Sequence, residues 1–237
     1  MSFYSLIRVK VALKSLLKNV FSLHHIKNKN KYCGLSSLDD VYLFIDVGAN
    51  VGNFMPKIKR ACAFSVENAI LVEPDERCHS ELERTAVLCG NNVEIVTKLV
   101  CNSSGKQPFY IFDDSARNSL LEGDGIGEAQ SIRNIDAIKG SALLEEFRDL
   151  AQEKTNILKI DVQGAEATVL ESFGADLCIF SFIILEITFT NHYKMQADFL
   201  KLLELLNPSH SYAGNLSEVY GPNGEIEYMN AVFKRLA

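Results

Sequence analysis

No stretch of this 237-residue chain reaches 18 uncharged apolar residues, no two cysteines stand as Cys-x-x-Cys, and no histidines recur at metal-ligand spacing. The first absence removes the pattern of a membrane-spanning helix. The other two leave Cys33, Cys62, Cys78, Cys89, Cys101 and Cys178 as reduced thiols of a cytosolic protein, most of them small core residues. The N-terminus lacks the features of a signal peptide, since lysines interrupt its apolar run and no small-residue cleavage site follows. Acids are missing altogether from residues 1–38, which carry seven basic side chains. The remainder holds 17 basic and 30 acidic residues, a balance of −13. A body so acidic offers no clustered positive surface for phosphates, so a nucleic-acid partner is not expected.

What is present begins with a basic N-terminal helical extension over residues 1–38. Phe3, Ile7, Leu13, Leu16, Leu17, Val20 and Phe21 fall on one helical stripe, with lysines mostly opposite. Such a helix packs on the domain or touches an anionic membrane surface. KNKNKYCG (27–34) then reads as a linker. From residue 39 one domain is expected to run to residue 237. Strands are predicted at 41–47, 69–73, 93–100, 108–112, 156–162 and 178–187. Helices are predicted at 53–63, 75–89, 141–153, 165–173 and 196–206, with Gly90 and Gly174 as C-terminal stops and Pro208 after the last. Apolar strands alternating with helices make an α/β fold with a mostly parallel sheet. Residues 216–235, with Pro222-Asn223-Gly224 between two alternating runs, predict a terminal antiparallel hairpin. Residues 113–135 are polar and glycine-rich, and read equally as a mobile surface loop or as a lid.

The chemistry concentrates at predicted strand ends, where open α/β sheets bind ligands. FIDVGANVG (44–52) ends a strand in Asp46 and turns through Gly48, Ala49, Asn50 and Gly52. The dinucleotide fingerprint Gly-x-Gly-x-x-Gly is absent, and a carboxylate ahead of the turn repels a diphosphate but suits an ammonium or sulfonium. Glu73 in ILVEPD lies 21 residues after Gly52, near the spacing at which an acid holds a ribose diol. A nucleoside cofactor without phosphates, S-adenosylmethionine, satisfies both. In NILKIDVQGAE (156–166), Asp161 ends a strand beside the first, and Lys159 is expected to pair with Glu166 or another acid.

IDVGANVGNF, LVEPD, SIRNIDAI and LKIDVQGAE, in this order and spacing, resemble the FkbM family of S-adenosylmethionine-dependent methyltransferases. The resemblance covers about residues 41–190. It implies a class I (Rossmann-like) methyltransferase fold with a seven-stranded sheet, and methyl transfer to oxygen, commonly a hydroxyl of a sugar or natural product. By the same resemblance Asp46, Gly48, Ala49, Asn50 and Gly52 form the cofactor loop, Glu73 the ribose acid, and Asp161 and Glu166 an acidic turn. Gln163 stands where many members have Glu. Candidate bases are Asp161, Glu186 in FIILEIT and His192 in TFTNHY, with Asp161 also near the cofactor. No local cluster of acids around Asp161 provides a metal ligand set, so no metal is assigned. The expectation is a cytoplasmic enzyme methylating a small-molecule or glycan acceptor of the surface-polysaccharide kind. A catalytically silent cofactor-binding module is the alternative, and a nicotinamide oxidoreductase a more distant one. A nucleobase methyltransferase would carry an Asn/Asp-Pro-Pro-aromatic turn where this chain has DVQG.

Overall fold

The computed structural model describes residues 32–236. The helical stripe read in residues 1–31 lies outside them. At the end of the stretch expected as a linker, Tyr32 is already buried in the core, as is Leu35 just beyond it. None of the described helices is long and apolar enough to cross a membrane.

Seven strands form one sheet: β1 (Asp40–Val47), β2 (Ser65–Val72), β3 (Asn92–Val96), β7 (Asn156–Ile160), β8 (Phe182–Thr188), β9 (His210–Tyr220) and β10 (Ile226–Arg235). Their order is β3-β2-β1-β7-β8-β10-β9. All neighbours are parallel except β10, which runs antiparallel to both β8 and β9. The predicted sheet and terminal hairpin are therefore present. The hairpin starts earlier than expected, at His210, because β9 is an edge strand whose polar, exposed first half shows no core alternation.

Two layers of helix cover the sheet. Helices α1 (Phe54–Cys62) and α2 (Glu76–Ala86) put Met55, Ile58 and Leu82 on the face that Phe44 presents. On the other face α4 (Glu166–Phe173) and α5 (Phe199–Leu206) pack Val169, Leu170, Leu202 and Leu206 against Ile45, Leu158 and Ile183. Every residue of β1 after Asp40 is buried, as a central parallel strand covered on both faces requires.

A second sheet interrupts the pattern after β3. The predicted strand 93–100 is two strands in two sheets, with the turn Thr97-Lys98 between β3 and β4 (Leu99–Val100). β4 pairs with β6 (Ser131–Ile138), and β6 with β5 (Gly105–Ile111), in the order β4-β6-β5. Pro108 is tolerated because β5 is an edge. β6 was hidden in the polar segment because most of its side chains stay in water. The helix expected at 141–153 is a 3-10 stretch, Gly140–Leu144, and a single turn, α3 (Arg148–Ala151). Both pieces still bury Leu143, Leu144 and Ala151 at helical spacing. The predicted strand 178–187 starts four residues late, since Gly174–Ile179 forms another 3-10 turn.

The tightest point of the fold is where the ends of β1 and β7 meet. Gly48 has φ +81°, and a Cβ there would sit 1.9 Å from the Asp161 carbonyl oxygen. Gly48→Ala is expected to cost about 3 kcal/mol or more, since left-handed strain and overpacking each cost about 1–3 kcal/mol. Gly224→Ala in the hairpin turn also has positive φ but meets nothing within 4 Å. It should cost only about 1–2 kcal/mol. Urea unfolding of the two variants measures the difference, and equal losses would contradict this close approach.

Candidate functional site

A cavity of about 640 Å³ opens beyond the carboxyl ends of the parallel strands. The sheet order acts as a ruler along it, strands being about 4.8 Å apart. Glu73 follows β2, Gly48 and Asn50 follow β1, Asp161 follows β7, Glu186 and Thr188 end β8, and Tyr228 begins β10. His192 and Tyr193 close the far end.

The turn after β1 uses up its own backbone donors. The N–H groups of Gly48 and Ala49 both donate to the Val72 carbonyl, and that of Gly52 to the Ala49 carbonyl. Asn50, at φ +49°, donates its N–H to Glu73 Oε2 at 2.8 Å and accepts the Val51 N–H on its own side chain. No amide from 48 to 52 remains for a diphosphate, which needs such donors. Of the residues expected in the cofactor loop, Gly48 and Asn50 line the cavity, while Ala49 is buried behind it. Gly52 packs on α2, where a Cβ would come 2.9 Å from Leu82 Cδ1.

Glu73 lines the cavity with its carboxylate braced by two backbone amides, those of Asn50 and Asp75, each at 2.8 Å. Burial outweighs these bonds and pushes its pKa up to about 7. Each oxygen keeps a second lone pair for a hydroxyl donor. Asp75 caps α2 through the Arg77 N–H and holds the Arg77 guanidinium at 2.8 Å.

Asp46 takes a different place from the one its motif predicted. It is fully buried beneath the cavity rather than lining it, and faces Lys159 Nζ at 3.1 Å. The pair is forced by register, because Asp46 and Lys159 are partners across β1 and β7. Lys159 reaches Asp161 Oδ2 at 3.2 Å as well, so of the expected partners, Glu166 or another acid, it takes the other acids. Glu166 instead accepts the N–H groups of Val162 and Gly164 on Oε1, closing the turn into α4. Burial pushes its pKa up to about 7.

The local sequence showed no acid cluster, but the fold makes one. Gln163, at φ +57°, donates Nε2 to Asp161 Oδ1 at 2.9 Å and to Glu186 Oε2 at 2.7 Å. Burial and the Asp161 charge raise the Glu186 pKa well above the usual carboxylate range. Asp161 moves the other way: burial opposes its charge, but Lys159 and the hydrogen bonds from Glu186 and Gln163 hold it low. Burial and the Asp161 charge thus favour the protonated form of Glu186, while Lys159 favours the ionised form of Asp161. Among the described residues no group of three His, Cys, Asp or Glu meets the geometry of a metal site. His192 faces the cavity from the loop after β8 with Nε2 2.8 Å from Thr190 Oγ1.

Residues 113–130 are no loose surface loop. They strap the cavity, with Ser115, Arg117, Asn118 and Leu120 in its wall and Asn118 and Ser119 buried. Asn118 Nδ2 donates to Asp75 at 2.6 Å, Ser119 Oγ to the Gln163 carbonyl at 2.7 Å, and Tyr193 Oη to the Arg117 carbonyl at 2.8 Å. Sequence reasoning missed Asn118, Ser119, Tyr193 and Tyr228. The only signal was an Asn-Ser pair inside a polar stretch, which composition does not separate from solvent-facing residues.

Residues 46–215 match the model of the methyltransferase FkbM domain, more than half of the chain and every strand end described above except that of β10. The chain belongs to the FkbM methyltransferase family. Among solved structures it is similar to the FkbM methyltransferase of Methylobacillus flagellatus KT, with TM-score 0.49 and 13% identity. That match covers 84% of this chain but 47% of the other, so the chain spans about half the length of that relative. Sp1610 of Streptococcus pneumoniae, a candidate tRNA (m1A22) methyltransferase crystallised with S-adenosyl-L-methionine, matches with TM-score 0.46 and 13% identity over 85% and 70% of the two chains. TrmK of M. capricolum, bound to S-adenosyl-homocysteine, gives 0.43 and 10% over 85% and 66%. No curated protein matches the chain significantly in sequence.

The chain thus belongs to a family of S-adenosylmethionine-dependent methyltransferases. Its residues fit that cofactor on their own terms: an amide-poor loop, a braced carboxylate at β2 for a diol, and a cavity wall rich in acids for a cationic ligand.

Because Glu166 is raised from 4.5 to about 7 in the folded protein, the native state binds the extra proton between those values. Stability from this group is present below about pH 4.5 and is lost as pH rises through 7. Glu166→Gln keeps an oxygen for both amides, so its thermal stability relative to the parent should rise between pH 5 and pH 8, by roughly 5 °C. A relative stability that stays constant across that range would show that Glu166 is not so raised.

Proposed function

We propose that this FkbM methyltransferase transfers the methyl group to a hydroxyl of a neutral, hydroxyl-rich acceptor, a glycan or sugar precursor. The observation that carries the reading is the order of the strand ends. The β2 and β1 ends, with Glu73, Asn50 and Gly48, make a cofactor half. The β8 and β10 ends, with Glu186, Thr188, Glu227 and Tyr228 beside His192 and Tyr193, make an acceptor half. Asp161 stands between them.

S-adenosylmethionine supplies a methyl group on a sulfonium when bound. Glu73 would hold its ribose hydroxyls, with Gly48 and Asn50 beside it. A sugar hydroxyl is a weak nucleophile, so the protein contributes chiefly by placing it in line and removing its proton. Asp161 is the acceptor for that proton, because it is the carboxylate kept ionised in the centre of the cavity. Glu186 is protonated at neutral pH and serves as hydrogen-bond donor to Asp161 rather than as base. His192 is the second candidate base, at the rim.

The acceptor half favours hydroxyls over phosphates. Its described lining residues at the β8 and β10 ends are carboxyls, hydroxyls and an imidazole, and carboxylates there would repel a nucleic-acid backbone. The two cations of the cavity wall, Lys98 and Arg117, lie on the turn after β3 and on the strap. This supports an acceptor other than nucleic acid. A cytoplasmic location, resting on the scattered cysteines, and contact of residues 1–38 with an anionic membrane, resting on their basic sequence, are part of the same proposal.

Incubation of the protein with methyl-labelled S-adenosylmethionine and a panel of mono- and oligosaccharides should yield a base-stable methyl ether. Asp161→Asn should lower kcat at least about 100-fold while leaving S-adenosylhomocysteine affinity within about threefold. Glu73→Ala should weaken that affinity itself. Label transferred to RNA and not to saccharides would overturn the acceptor class. A protein that binds the cofactor but methylates nothing would favour the silent binding module.

A further inference from the structure

One buried side chain has a reach that its expected role, partner to a single acid, does not account for. The Lys159 ammonium is 3% exposed and has three donors. It sits 3.1 Å from Asp46 Oδ1, 3.2 Å from Asp161 Oδ2 and 3.2 Å from the Gly48 carbonyl oxygen, to which it donates. The Phe54 ring, at the start of α1, lies 5.3 Å from it and seals that side. The three acceptors belong to different parts of the site. Asp46 ends β1 beneath the cavity, Gly48 is the first glycine of the cofactor loop, and Asp161 is the carboxylate between the two halves.

We propose that Lys159 is a positioning residue that locks the cofactor loop and the Asp161 carboxylate to each other through one ammonium. Neutralising Asp46 alone would need only one contact. The bond to the Gly48 carbonyl fixes the loop where a side chain cannot, because Gly48 has none and lies against the Asp161 backbone. Gln163 completes the lock from the opposite side, holding Asp161 Oδ1 while Lys159 holds Oδ2. Asp161 is thus gripped on both oxygens, and any shift of the loop is transmitted to it. The inference rests on the methyl-transfer reading of the cavity.

The test separates positioning from charge balance by comparing Lys159→Met with the double variant Asp46→Asn/Lys159→Met. Thermal stability and S-adenosylhomocysteine affinity by calorimetry are measured on the full chain. Lys159→Met leaves two carboxylates facing each other and should lose both stability and affinity. The double variant removes the stranded charge and should recover stability close to the parent, yet bind S-adenosylhomocysteine about tenfold more weakly, since the charge-assisted bond to Gly48 is still missing. Parental affinity in either variant overturns the proposal. So does a double variant that fails to fold, which would assign Lys159 to the core alone. A parent protein with no affinity for S-adenosylhomocysteine would remove the cofactor site itself, and the proposal with it.

Discussion

The arrangement depends on one buried positive charge among carboxylates. Three acids converge where β1, β7 and β8 end, and all are largely out of water. Without compensation such burial drives carboxylates to neutrality. Lys159 changes the distribution rather than cancelling the effect. Burial works against its own charge, but Asp161 and Asp46 outweigh that and its pKa is raised. It keeps Asp161 ionised, while Glu186, farther along the sheet, takes up a proton. Asp46 itself is raised by burial, only partly offset by Lys159, and its oxygens have no well-aligned hydrogen bond. One ammonium thus divides three similar side chains into one favoured as a carboxylate, one favoured as an acid and one buried beneath the cavity.

The backbone has to permit that convergence. β1 and β7 are adjacent and parallel, so their ends emerge side by side with Asp46 opposite Lys159. The chain then leaves β1 through a turn so close to Asp161 that only glycine fits at position 48. Because that turn satisfies its own amides, it offers a ligand shape and carbonyl oxygens rather than donors. The second sheet brings the strap across the top. Its hydrogen bonds with Asp75, Gln163 and Tyr193 tie the β2 end of the cavity to the β7 and β8 ends.

Much of this was legible from residues alone. Central strands such as VYLFIDV and NILKIDV are buried on both faces and announce themselves as apolar runs. The acids at their ends stand out because a core does not call for them. What escaped notice depends on pairing between distant segments. SIRNIDAI reads as polar because β6 lies in a small sheet with one wet face. Asp46 looked like a ligand group, and only the register across β1 and β7 shows that its partner is Lys159. Glu186 and Asp161 are 25 residues apart in sequence, and their contact through Gln163 follows from sheet order, which periodicity does not encode. Gln163 itself was noticed only as a substitution, although its side chain bridges both acids.

The division of protons between Asp161 and Glu186 is the central claim, and carbon-13 NMR of side-chain carboxyls, assigned with Asp161→Asn and Glu186→Gln, tests it most directly. Asp161 should titrate below the usual carboxylate range and Glu186 well above it, with Lys159 charged throughout. Two carboxyls titrating together near pH 4, or Glu186 ionising before Asp161, would contradict the account.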